Sequence, residues 1–514
     1  MDLTRRRVAI LTAVAGALLL LGVRSQTAPT VRAATPHIVA GLVAVSAASP
    51  ARTQTRYSLV HGCYTVRAGD ASATQSPLRM AGSDEPYRMQ AAGLGQYLIY
   101  GARRSFLAGG LQSAGAPGAN AVWMVLGSGA RGFHMINAGT GESRPVSFTP
   151  ASGCAVYPEG GVDATGRPLT GATPGQAVSG TVDAHTHVTA FEFLGGSFHC
   201  GKPWDAYGIP YALPDCKPFE QGTNGAVEGF LDYGSPYHPH DTQGWPTFRA
   251  WPSPTDLAEE GDYYTGIKRA WMAGLRIMVT HLVDNEALCQ MMTTRRNPCS
   301  DMQAVHIQAA ALRALQDYID AQSGGPGKGF FRIVTNPFQA RQVINQGKLA
   351  VQEGIEVSHL FNCGEYLGTP QCSQAQVDAG MRDVEKLGVS TFFPVHKFDN
   401  AFGGTKMDSG ETGLLINGAN HLETGHFWDV KTCTGPAHDS TQLDPTALAP
   451  VAGGLTQLLN LVGPTLLPGA IKPPVPLPVG GTAPSPLSAL PVYPPPPHCN
   501  QRGLTSLGTY VLER

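Results

Sequence analysis

Thr181-Val-Asp-Ala-His-Thr-His187 is the stretch on which the reading of this chain turns. Its first four residues form a short buried-strand candidate, and two histidines follow with one residue between them. Residues i and i+2 of an extended strand point to the same side. His185 and His187 can therefore hold one cation from one face, and neutral imidazole suits Zn²⁺ and its neighbours. The plain alternative is a chance pair of solvated histidines, and the strand-end position argues against it.

Beyond this stretch the sequence alternates strand and helix patterns. A helix pattern over 257–273 leads into a strand at 275–281. A long amphipathic helix over 302–322 places Val305, Ala309, Leu312, Leu315 and Ile319 at helical spacing. A short helix at 338–346 precedes a strand at 348–356, and a helix at 374–387 precedes a strand at 389–396. Four strands separated by helices predict a parallel sheet covered by helices. Two insertions read as loops, 197–256 and 400–500, the second ending in Pro494-Pro-Pro-Pro497, a polyproline signal.

Before residue 181 the rhythm differs. Residues 56–180 carry short apolar runs, such as Tyr97-Leu-Ile-Tyr100, with turn residues every ten or so positions. That pattern predicts a small all-β domain, with sandwich and trefoil both open. Residues 34–55 read as a linker. Residues 1–33 read as a secretory signal peptide: Arg5, Arg6 and Arg7 precede an apolar run from Val8 to Gly22, and small residues follow. Contact with a membrane is expected only if that segment stays uncleaved.

Composition sets further bounds. With 42% hydrophobic and 14% charged residues, the 514-residue chain can bury a core in two or three domains. A formal net charge of -2 offers no basic excess, so nucleic acid is not an expected partner. Ten cysteines in an exported chain favour disulfides over thiolate metal sites. Sequence alone does not fix their pairing. Nearness suggests Cys200 with Cys216, Cys289 with Cys299 and Cys363 with Cys372; Cys63 and Cys154 bracket the first domain, and Cys433 and Cys499 would close the Pro-rich loop.

Three stretches together resemble the amidohydrolase superfamily, and within it the membrane (renal-type) dipeptidases and their bacterial secreted relatives. They are Val182-Asp-Ala-His-Thr-His187, the run from Gly347-Lys348 to Glu356-Val-Ser-His359, and Leu387-Gly-Val-Ser-Thr-Phe-Phe-Pro-Val-His396 with Asn400 following. The resemblance implies a partial (β/α) TIM-type barrel after the all-β domain. It implies that His185, His187 and Glu356 ligate one or two zinc ions, with Glu356 as the bridging carboxylate, and that His396 is catalytic and contacts substrate. The implied reaction is attack of metal-activated water on an amide, dipeptide-like bond of a small-molecule or peptide substrate. Departures are visible: H-x-H stands where the dipeptidases show H-x-D, and Val357 and Ser358 replace two glycines.

The resemblance also implies two later metal histidines. His421, His426, His438 and His498 sit at no plausible strand end, and the segment from Asn500 to Arg514 is similar to the helix that precedes the next ligand strand. An incomplete second metal site in a C-terminally truncated chain is therefore expected. Two other readings stand beside this one: a secreted binding protein with an inactive half-barrel, and a lactone or phosphoester hydrolase on the same barrel. Secondary candidates are His281 and Asp284, as pocket-lining or plain loop residues. Tyr237-His-Pro-His-Asp241 has metal-like spacing but reads as surface. Gly324-Gly-Pro-Gly-Lys-Gly329 does not fit a phosphate loop.

Overall fold

The short apolar runs of the β-rich region alternate inward and outward residues, and in the computed structural model of the chain they close on themselves. The structure describes residues 54–69, 76–78, 85–166, 175–233, 240–253, 256, 258–408, 416–417, 420–421, 423–433 and 497–514. The expected signal peptide, most of the linker and most of the 400–500 insertion lie outside them. The chain divides into two compact units; one holds the strands up to Pro158 together with Asp317–Gly329, the other Glu159–Gln316 and Phe330–Arg514.

In the first unit the strands are β1 (Cys63–Ala68), β2 (Ser76–Pro77), β3 (Tyr87–Gly93), β4 (Gln96–Tyr100), β5 (Phe106–Ala108), β6 (Gln112–Ala114), β7 (Val122–Ser128), β8 (Gly132–Asn137) and β9 (Ser143–Pro150). Antiparallel pairing runs β1-β3-β4-β7-β8-β9 and returns to β1, where Tyr64 faces Pro150 and Ala68 faces Val146. A closed six-stranded barrel leaves no unpaired edge among those strands, and it is neither of the two β architectures left open by the sequence. Val66, Met89, Trp123, Val125, Phe133, Met135 and Phe148 fill its interior. Trp123 is fully buried and donates its indole N–H to the Leu107 carbonyl at 2.8 Å, so its one polar atom is satisfied. Cys63–Cys154 ties the start of β1 to the chain just past β9.

The second unit is mixed α/β. Its parallel sheet contains β10 (Thr181–Thr186), β11 (Leu275–Asp284), β12 (Phe331–Val334), β13 (Leu349–Val357) and β16 (Thr391–Phe392), with a small hairpin, β14 (Glu365–Tyr366) and β15 (Thr369–Pro370), between the last two. The four strands expected from the sequence are neighbours in chain order, β10-β11-β13-β16. β12, which the pattern did not reveal, shares one edge of β13 with β16: it pairs with Leu349–Gln352 and β16 with Gly354 and Ile355. Among the described residues the sheet is open, and a TIM-type barrel does not close. One cause is local. Pro394 cannot donate to a ladder, and β16 ends at Phe392 instead of running on to residue 396.

β13 is buried along its length, as a central parallel strand must be. The helix Asp301–Gln322 lays Met302, Val305 and Ala309 against Leu282, Ile355 and Val357, and Val377 and Val384 of the helix Gln374–Leu387 join the same cluster. The second helix has both its ends written locally. Ser373 and Gln376 form a reciprocal capping box, and Gly388 takes the left-handed conformation at the other end (φ 89°). Among its described residues the insertion expected as loop carries three helices, Ile209–Ala212, Lys217–Glu220 and Thr223–Tyr233. All ten cysteines are paired, in the five combinations that nearness and bracketing suggest, and none is free. Five disulfides fit an oxidising, extracytoplasmic environment. Among the described residues no helix is long and apolar enough to cross a membrane.

Candidate metal centre

Parallel strands deliver their C-terminal ends to the same side of a sheet, so residues far apart in sequence can meet there. Thr186 of β10 is in register with Thr280 of β11, and His281 with Gly354 of β13. Registered neighbours project to the same face, and so do residues two apart along one strand. His185 at the end of β10 and His187 just past it thereby face Glu356 from β13. His185 Nε2 lies 2.8 Å from Glu356 Oε2, His187 Nε2 lies 3.5 Å from the same oxygen, and the two imidazole nitrogens are 3.1 Å apart. One ligand atom from each of the three residues fits within a 4.8 Å cluster. His396, past the end of β16, approaches the other carboxylate oxygen: its Nε2 is 2.7 Å from Oε1. All four residues singled out by the sequence are therefore in one place.

The surrounding contacts hold the ligands in order. His187 Nδ1 is 3.0 Å from the His281 carbonyl. A carbonyl only accepts, so Nδ1 carries the proton and the lone pair of Nε2 points into the cluster. A backbone partner on the far nitrogen is the usual way a metal-binding histidine is oriented. The β11 backbone that supplies this carbonyl is itself clamped by the buried Gln308 amide, which donates to the Val283 carbonyl (2.6 Å) and accepts from the Val283 N–H (3.1 Å). His281, expected as pocket lining or plain loop, stands under the centre, buried, its ring 4.5 Å from that of His185. It fits because position 354 is glycine: a Cβ there would lie 2.4 Å from His281 Nδ1.

Asn400 sets the distance between the Glu356 and His396 segments. Its buried amide donates to the carbonyls of Ser358 (3.1 Å) and Pro394 (2.9 Å), and its oxygen accepts from the Phe402 N–H (2.8 Å). Each bond reaches a residue two positions from a site residue or from Asn400 itself. Thr405 Oγ1 donates to the His396 carbonyl at 2.5 Å.

Electrostatics favour a charged Glu356. Burial pushes its carboxyl up, but the contact with His396 and the fields of His396, His187 and His185 outweigh burial and bring it down to about 2. Burial pushes His187 and His281 down, toward the neutral form. Glu356 Oε2 is buried and accepts no hydrogen bond, although two imidazole nitrogens stand beside it. That is the behaviour of lone pairs converging on one point. Ligand atoms about 2.0–2.2 Å from a tetrahedral cation are spaced roughly 3.3–3.6 Å from one another. The separations of 2.8, 3.1 and 3.5 Å in the cluster are close enough for two imidazoles and a carboxylate to hold one metal ion with small shifts of the side chains.

The other expected candidates go elsewhere. Asp284 is buried; its Oδ1 accepts from the Leu194 N–H (3.0 Å), and burial followed by the charge of Asp301 pushes it up to about 7. His426 pairs with Glu365 at 2.5 Å, and Arg502 holds the same carboxylate. His421 stacks edge-on to Phe427, and His498 is buried in a two-stranded ladder with Val430–Thr432. His438 lies outside the described residues. The segment after Asn500 forms the expected helix, Ser506–Leu512, with Thr505 capping its start. Comparison with family models, with curated proteins and with solved structures finds no match to this chain.

Proposed function

We propose that this chain is an exported metal-dependent hydrolase of the amidohydrolase type, acting on an amide bond in a small, dipeptide-like molecule. The convergence of His185, His187 and Glu356 at the C-terminal ends of parallel strands carries the reading, because catalytic groups of parallel α/β barrels gather at that face. The order β10-β11-β13-β16 supports a sheet of the same kind as the opening part of a TIM-type barrel. The disulfides and the basic-then-apolar N-terminus support export.

The residues divide the work as follows. His185 and His187 would hold the cation, with His187 fixed in one tautomer by the His281 carbonyl. Glu356 would contribute Oε2 on the same side, and its Oε1 faces His396. His396 keeps a nitrogen at Oε1, 2.7 Å away, where a proton can be held or passed. Zinc is the cation the imidazole-rich set suits best, and when bound it lowers the pKa of water and polarises a carbonyl. His185 is the most open member, its side chain 47% exposed, so a substrate can reach the centre from solvent.

A hydrolysis panel tests the reading: dipeptides, N-acyl amino acids, a lactone and a phosphoester, offered to the oxidised full chain with and without chelator. Cleavage of an amide that chelation abolishes and Zn²⁺ restores is expected. Cleavage confined to the lactone or phosphoester keeps the centre but moves the substrate class. No cleavage of any ester or amide by the zinc-loaded protein counts against the proposal.

A further inference from the structure

The long insertion gathers a second set of donors that the strand ends do not use. Glu220 closes the helix Lys217–Glu220, His240 and Asp256 come from later in the insertion, and Glu259 follows it. One ligand atom from each lies within 4.8 Å of the rest. His240 Nε2 is 2.9 Å from Glu259 Oε1 and 4.0 Å from Asp256 Oδ2. The side chains of Asp256 and Glu259 are fully buried and that of His240 is 10% exposed, so the surface reading of the Tyr237–Asp241 segment does not hold for His240.

Backbone donors hold the far oxygens of Asp256 and Glu259. Asp256 Oδ1 accepts from the N–H groups of Ala258 (2.7 Å) and Glu259 (3.0 Å), and Glu259 Oε2 accepts from the Ser253 N–H (2.7 Å). Those bonds leave Asp256 Oδ2 and Glu259 Oε1 on the side of His240. Asp256 Oδ2 is buried and has no hydrogen-bond partner. Leaving a buried carboxylate oxygen unpaired is costly, and 4.0 Å from the imidazole is too far for a hydrogen bond. It is a separation that two ligands of one cation tolerate. A cation among the carboxylates would remove that penalty.

The frame around the cluster is built before any cation arrives. Glu259 is bridged to Cys200, Cys200 is bonded to Cys216, and Cys216 precedes the helix that ends in Glu220. The Cys216 N–H donates to the Thr242 carbonyl at 3.1 Å, two residues past His240. One disulfide thus holds three of the four donor segments.

We infer that Glu220, His240, Asp256 and Glu259 bind a divalent transition cation of the zinc or manganese kind, at a closed site that pins the insertion. One imidazole with three carboxylates suits those ions better than calcium, which takes oxygen ligands alone. The near-complete burial of His240, Asp256 and Glu259 makes the site structural, in contrast to the open strand-end centre.

The test uses the oxidised full chain carrying His185→Ala and His187→Ala, which empties the strand-end centre and makes the inference independent of the proposed hydrolysis. After chelation, gel filtration and reloading with Zn²⁺ or Mn²⁺ alone, about one equivalent is expected to remain bound, with a rise of several degrees in the thermal midpoint. Adding Asp256→Asn is expected to weaken binding by more than about tenfold, and Glu220→Gln, at a partly exposed helix end, serves as the gentler variant if the first does not fold. Absence of bound metal and an unmoved midpoint in the double-alanine protein overturn the inference. So does undiminished binding in whichever of the two variants folds.

Discussion

Replacing Gly354 by alanine tests how tightly the strand-end centre is built. The backbone there is ordinary strand, so an alanine meets no conformational penalty and by propensity alone would stabilise by about 0.5–1 kcal/mol. The added Cβ, however, would lie 2.4 Å from His281 Nδ1, 2.7 Å from its Cε1 and 2.9 Å from Thr391 Cγ2. His281 is buried, its ring lies 5.1 Å from Phe393 and 4.5 Å from His185, and it has little room to retreat. Overpacking of this kind costs about 1–3 kcal/mol. Movement of the ring would also drag the carbonyl that holds His187, so metal affinity should fall. The assay is hydrogen exchange of the amides in β11 and β13, which reads local stability without requiring both units to unfold together. Gly354→Ala is expected to speed that exchange in the wild-type background and to have little effect alongside His281→Ala, where the ring is gone. A coupling of at least about 1 kcal/mol is predicted for neighbours in contact. An equal effect in both backgrounds would refute the reasoning, and would move the blame to Thr391 or to the strand itself.

Three further outcomes follow from contacts already described. Asn400→Ala leaves the Ser358 and Pro394 carbonyls and the Phe402 N–H without their partner, which should cost about 3 kcal/mol in urea unfolding and weaken zinc binding by loosening His396 from Glu356. His359 gives a pH signature: burial pushes its imidazole down, but Glu286 (3.7 Å) and Glu423 (3.2 Å) outweigh that and raise it to about 10. Its stabilisation should be complete below about pH 6.5, where the unfolded imidazole is also charged, and should fade as pH climbs through the folded value near 10. A wild-type stability curve that falls no faster than that of His359→Gln between those limits would contradict the assignment. Replacing Cys63 and Cys154 by serine opens a 91-residue loop and should destabilise the closed barrel by about 4–5 kcal/mol, seen as faster proteolysis of that unit.

What the sequence disclosed depended on how local the signal was. The helix Gln374–Leu387 was legible to the residue, because Ser373, Gln376 and Gly388 write its ends within the segment itself. β12 was missed because Phe331–Val334 is only four residues long and shows no full period. Barrel closure was illegible for a different reason: it rests on β1 meeting β9, a pairing of Tyr64 with Pro150 that no local pattern announces. His185 and His187 carried their own geometry in a two-residue spacing. Their meeting with Glu356 depended on the register of β10, β11 and β13, and was available only through the family resemblance. The strand-end position marked His281 as a candidate, but its part in fixing His187 was unreadable, because its carbonyl and not its side chain makes the contact. Glu220, His240 and the Asp256–Glu259 turn come from separate segments, so their spacing in the chain says nothing about their nearness.

Metal content of the purified, oxidised chain, compared with that of Glu356→Gln, tests the strand-end centre most directly. The substitution keeps the shape of the side chain and removes the charge from the oxygen that His185 and His187 face. After identical loading and washing, the wild type should retain about one more zinc equivalent than the variant, or bind it at least roughly a hundredfold more tightly. Equal zinc content and equal affinity in the two proteins would contradict the account, and would leave the four side chains as an ion-paired cluster without a cation.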